Sequence, residues 1–133
     1  MTFQETFATA IKTLLAPITD ASIAFVADYD TTRGNERAVT IVPSTIGYKR
    51  AGRGMLENRM QFDVVIVKRT TDFATEAEFA RVIAITLADQ NIEVDGITYL
   101  VDELEVETDV EQLESNVFST VVSVVYRTIA TYG

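Results

Sequence analysis

The feature that most constrains this chain is its closing run, VFSTVVSVVYRTI at 117–129. β-Branched residues dominate it, and such side chains are stiff at χ1 and suit a pleated backbone. Extended, the run would span roughly 43 Å at about 3.3 Å per residue. That is longer than a small sheet needs. Either a bulge near Ser123 breaks the strand, or one end reaches a neighbouring subunit or another chain.

The remaining elements arrange themselves around that strand. Residues 2–15 predict an amphipathic helix, with Phe3, Phe7, Ile11, Leu14 and Leu15 at spacings of three and four. Thr2 and Glu5 form a capping box at its start, and Pro17 ends it. A second helix is expected over 76–90, opened by a Thr75–Glu78 box, with Phe79, Val82, Ile83, Thr86 and Leu87 inward. Strands are predicted over 22–28, 38–43 and 59–69, with a turn at 30–36. Both faces of the third strand are apolar, since Phe62, Val64 and Ile66 alternate with Val65 and Val67. Asp95-Gly96 between two short apolar runs signals a two-residue hairpin. A strand then continues over 100–106 with Leu104 and Val106 inward, followed by a polar turn at 108–115. This order defines an α+β fold: a mostly antiparallel sheet with two main helices packed on one face. The 133 residues make one domain.

Residues 47–58, GYKRAGRGMLEN, break the pattern. They hold three of the six glycines and lack periodicity, so a flexible loop is expected there. The basic residues Lys49, Arg50, Arg53 and Arg59, with Tyr48, Met55 and Leu56, are candidates for an interface with other proteins. Phosphate contacts are the competing reading of the cations. With Tyr48 the one adjacent aromatic, a stacking platform for single-stranded nucleic acid is poorly supported.

Composition excludes much chemistry. The chain has no cysteine and no histidine, so disulfides, thiolate sites and the commonest general base are absent. It carries 11 Lys and Arg against 20 Asp and Glu, a net charge of −9, which disfavours non-specific binding to nucleic acid. No phosphate-binding glycine motif and no nucleophile–base pattern is present. The sequence therefore predicts no catalytic residues, no cofactor and no metal. No stretch approaches a membrane span, and the start lacks the character of a signal peptide.

The acids concentrate late in the chain. Ten fall between Asp89 and Glu114, and no Lys or Arg lies between Arg81 and Arg127. Glu103, Glu105 and Glu107 alternate along a strand, which places them together on one exposed face. In a ring they would line a channel and keep DNA from sticking. The plainest reading is a solvated strand face; the alternative is a hard-cation site, or a small enzyme, built from Asp102, Glu103, Glu105 and Asp109, since Ca²⁺ and Mg²⁺ take oxygen ligands.

Taken together, FQETFATAIKTLLAPI, QFDVVIVKR, TEAEFARVIAITLADQ, IEVDGITYLVDELEVE and VFSTVVSVVYRTIATYG resemble, in order and style, the tail terminator or tail-completion (neck) proteins of long-tailed bacteriophages. The resemblance covers nearly the whole chain. It implies a structural virion protein without an active site, made in the bacterial cytoplasm. Such subunits form a ring, generally a hexamer, that caps the tail tube and joins it to the head-side connector protein. Genomic DNA passes through the centre. Head-to-tail connector (stopper) and tail-tube-like subunits share parts of the layout.

Overall fold

In the computed structural model, residues 2–24, 37–70, 72–111 and 117–131 are described. The predicted turn at 30–36 lies outside them, as do 25–28 of the first expected strand.

The chain is α+β. Helix α1 (Phe3–Leu15) is followed by β1 (Ser22–Ile23), β2 (Ala38–Gly52) and β3 (Met55–Arg69). Helix α2 (Phe73–Ala88) precedes β4 (Ile92–Val94), β5 (Ile97–Glu111) and β6 (Val117–Thr131). The strands make one six-stranded sheet in the order β1-β2-β3-β6-β5-β4. β1 and β2 are parallel, and every other neighbouring pair is antiparallel.

Local chemistry accounts for the ends of these elements. The Thr2 hydroxyl accepts a hydrogen bond from the Glu5 backbone N–H at 3.2 Å, as the capping box predicts. Helix α2 starts three residues earlier than expected. Its cap is Asp72, which accepts from the Thr75 N–H at 3.2 Å and from the Thr75 hydroxyl at 2.6 Å. Those two hydrogen bonds hold the Asp72 carboxyl below the usual carboxylate range. The buried stripe also differs from expectation: Glu76, Ala80, Ile83, Ala84 and Leu87 point inward, while Val82 is exposed. The Asp95-Gly96 hairpin is present, and both turn residues have positive φ, 55° and 79°.

One core cluster unites both helices with the sheet. Phe7, Ile11 and Leu15 of α1 and Ala80, Ile83 and Leu87 of α2 join Met60, Phe62, Val64 and Ile66 of β3 and Val122, Val124 and Tyr126 of β6. Phe7 sits at its centre, stacked on Phe62 at 5.0 Å and edge-on to Tyr126 and Tyr99 at 4.9 and 5.2 Å. Alternate residues Val65 and Val67 are buried too, so β3 is covered on both sides, as its sequence suggests.

Two expectations about the sheet are corrected. The flexible loop at 47–58 is strand: β2 and β3 pair from Ala38↔Val67 out to Gly52↔Met55 and turn through Arg53 and Gly54, whose φ is 71°. Two glycines in the outer arm of β2 and one in the turn hid the pairing. Of the two readings of the closing run, the bulge near Ser123 is absent, because β6 pairs with β3 without interruption from Val117 to Thr131. The irregularity lies instead in β5, between Val101 and Glu103. The polar stretch expected to turn at 108–115 continues β5 as far as Glu111, and 112–116 lie outside the described residues.

Candidate assembly surface

β2, β3 and β6 are longer than the body needs. Pairing of β5 with β6 begins at Leu100↔Arg127, whereas β3 and β6 continue to Met55↔Thr131. The outer arm is therefore a three-stranded ribbon ending at the Arg53–Gly54 turn. Tyr48, Lys49 and Arg50 lie along its β2 edge; Tyr48 is 63% exposed, and Met55 is exposed across the turn. Arg53 is exposed in the turn, and Leu56 is half-buried on β3. Among the described residues, Lys49, Arg50 and Arg53 make no ion pair.

Arg59 behaves differently from the other candidates. Its Nη2 lies 3.5 Å from Asp102 Oδ2 and 3.6 Å from Glu103 Oε2, so its charge is engaged within the chain. Beside it, Arg127 Nε donates to Glu57 Oε1 at 2.9 Å. That bond holds the Glu57 carboxyl below the usual range and raises the guanidinium further. Sequence reading missed Glu57 and Arg127, because they are 70 positions apart and meet only when β3 and β6 pair.

Next to this pair runs a groove of about 680 Å³, lined by Gln61, Asp63, Glu103, Glu105, Glu107 and Ser123 among others. The alternation argument is met here: Glu103, Glu105 and Glu107 are all exposed on one side, opposite Val125, Ser123 and Val121 of β6. Asp63 accepts from Ser123 Oγ at 2.8 Å and from Gln61 Nε2 at 3.2 Å. Val106 is 42% exposed rather than inward, because no described element covers that end of β5. Of the four candidate cation ligands, the Asp109 side chain lies outside the described residues. Asp102 and Glu103 turn to Arg59, and among the described residues no three carboxylates gather into a metal-binding group.

Charge is segregated across the sheet. β2 carries Lys49 and Arg50 and no acid; β5 carries Asp102, Glu103, Glu105, Glu107, Asp109 and Glu111 and no cation. Among the described residues, no helix is long and apolar enough to cross a membrane.

No protein-family model matches the chain, and no curated protein matches it. A solved structure bearing no functional name is similar to it at 17% identity, with a TM-score of 0.58, over 98% of this chain and 94% of its own. At that identity the similarity defines a shared fold.

Proposed function

We propose that the chain is a non-catalytic, self-assembling subunit of a phage-tail ring, of the tail-terminator kind. The ring would cap the tail tube, meet the head-side connector and let DNA pass through its centre. The observation that carries this reading is the projecting ribbon of β2, β3 and β6, whose cations Lys49, Arg50 and Arg53 make no ion pair among the described residues and which exposes Tyr48 and Met55. Both helices cover one face of the sheet in this reading. The groove face with Glu103, Glu105 and Glu107 is then left to line the channel, where negative charge repels DNA. A head-to-tail contact closed by rotation gives such a ring.

The test is the absolute mass in solution, by light scattering over a concentration series, followed by electron microscopy with purified tail tubes. A discrete closed multiple of 14.7 kDa that seats on tube ends is the expected result. A monomer at millimolar concentration that also leaves tube ends bare refutes the reading.

A further inference from the structure

The sheet has two long open edges, and they carry opposite charge. Among the described residues, β1 pairs with β2 only at Thr40 and Ile41, so the outer edge of β2 is open from Val42 to Gly52. Among the described residues, β4 pairs with β5 only from Ile97 to Tyr99, and nothing else pairs with the outer edge of β5 from Leu100 to Glu111. An open edge presents unpaired N–H and C=O groups and is a template for another strand. The two open segments are nearly equal in length. One is basic and the other acidic.

We propose that the β2 edge of one copy adds to the β5 edge of the next, continuing the sheet from subunit to subunit. This deepens the ring reading and rests on it. The strand directions permit it. Neighbours in β2-β3-β6-β5 are all antiparallel, so β2 and β5 of one copy run in opposite directions. Placing β2 of the next copy beside β5 keeps the alternation, and rotation about one axis repeats it indefinitely. Like-with-like pairing is opposed, since two β5 edges would set acid against acid and two β2 edges cation against cation.

The faces also fix a register. In β2, Ile46 and Tyr48 lie on the side of the core residue Met60 and of Asn58, and Lys49 lies on the groove side with Glu57. In β5, Leu104 and Val106 share the side of Val124 and Val122, and Glu103 and Glu105 lie on the groove side. Full overlap of the open segments with faces matched sets Lys49 opposite Glu103, Tyr48 opposite Leu104 and Ile46 opposite Val106, with Arg50 level with Asp102 at the irregularity of β5. Opposite charges and apolar partners then coincide on their own faces, the arrangement that stabilises cross-strand pairs. The overlap needs a stagger of several residues relative to level strands, as closed sheets require.

Two charge-reversal variants test the contact. Lys49→Glu/Arg50→Glu makes both edges of a copy acidic, and Asp102→Lys/Glu103→Lys sets cations where Lys49 and Arg50 of the next copy arrive. Each alone is expected to weaken self-association by ~100-fold or more, because like charges face each other. Mixed one to one, they are expected to restore the wild-type mass, because every contact then joins opposite charges. The cysteine-free chain allows a second readout. Lys49→Cys/Glu103→Cys should form intermolecular disulfides that ladder under oxidation, while Lys49→Cys alone stops at dimers. If the wild type assembles but the reversals leave its mass unchanged, or the mixture fails to recover, edge pairing is wrong and the ring reading survives. A wild type that stays monomeric at millimolar concentration and leaves tube ends bare overturns both.

Discussion

Arg37 offers the sharpest test of what holds the body together. Glu76, in the first turn of α2, has 1% of its side chain exposed. Arg37, at the entrance to β2, grips it with two hydrogen bonds, Nε to Oε2 at 2.8 Å and Nη2 to Oε1 at 2.6 Å. The guanidinium also lies 3.8 Å over the Phe79 ring, and Lys68 Nζ stands 3.6 Å from the carboxylate. The bond to Glu76 raises the Arg37 pKa, so the cation persists at any ordinary pH. In Arg37→Met the aliphatic packing over Phe79 is retained and the bidentate grip is lost. Breaking a buried pair from one side costs about 3–5 kcal/mol. A value at or just below the bottom of that range, about 2–3 kcal/mol, applies here, since Lys68 remains and the Arg37 side chain is 28% exposed. For a chain of this size the cost corresponds to a fall in Tm of about 8 °C. Glu76→Gln keeps the shape and an acceptor and leaves only partly solvated cations, so about 1–2 kcal/mol is expected. Arg37→Met/Glu76→Leu removes the buried charge altogether and should cost less than Arg37→Met alone. Urea unfolding followed by circular dichroism measures all three, with the slope unchanged across the set. A double variant costing the full sum of the singles would refute the argument that the stranded carboxylate sets the cost.

Other outcomes follow from the core and its turns. The Tyr126 hydroxyl is buried with no partner among the described residues, so Tyr126→Phe should be neutral or stabilise by up to ~1 kcal/mol in the same urea assay. Burial pushes the Tyr126 phenol well above the ordinary tyrosine range. A raised folded value means that stability is fully present below about pH 10 and is lost as pH climbs toward that value. The urea midpoint should therefore fall above pH 10 in the wild type and fall less steeply in Tyr126→Phe. Gly96→Ala should cost about 1 kcal/mol, because φ there is +79° although a Cβ would meet nothing within 4 Å; a loss below the error of thermal melting would contradict the strain argument.

Sequence reading succeeded where the signal was local. The Thr2–Glu5 cap, the Asp95-Gly96 hairpin and the period-two burial of Phe62, Val64 and Ile66 all rest on residues a few positions apart. It failed where tertiary partners decide. Residues 47–58 lack strand propensity of their own and are strand because β3 pairs with β2 on one side and β6 on the other. The apolar pattern of α2 placed Ile83, Leu87 and Phe79 correctly against the core but not Val82; the helix also turns Ala80, Ala84 and Glu76 inward, since small residues allow close approach and Arg37 neutralises the acid. The exposed glutamates of β5 were legible by alternation. Capture of Arg59 by Asp102 and Glu103 was not, because it depends on strand order.

The ribbon also changes the thermodynamics of any contact made through it. A loose segment over 47–58 would have to surrender its freedom when a partner arrives, at about 1–2 kcal/mol for each residue fixed. As strand paired along both sides of β3, the segment has already lost that freedom during folding. Association through a preorganised arm keeps more of its contact energy as affinity. Substitutions that loosen the Arg53–Gly54 turn would then weaken binding through entropy, without removing a single contact.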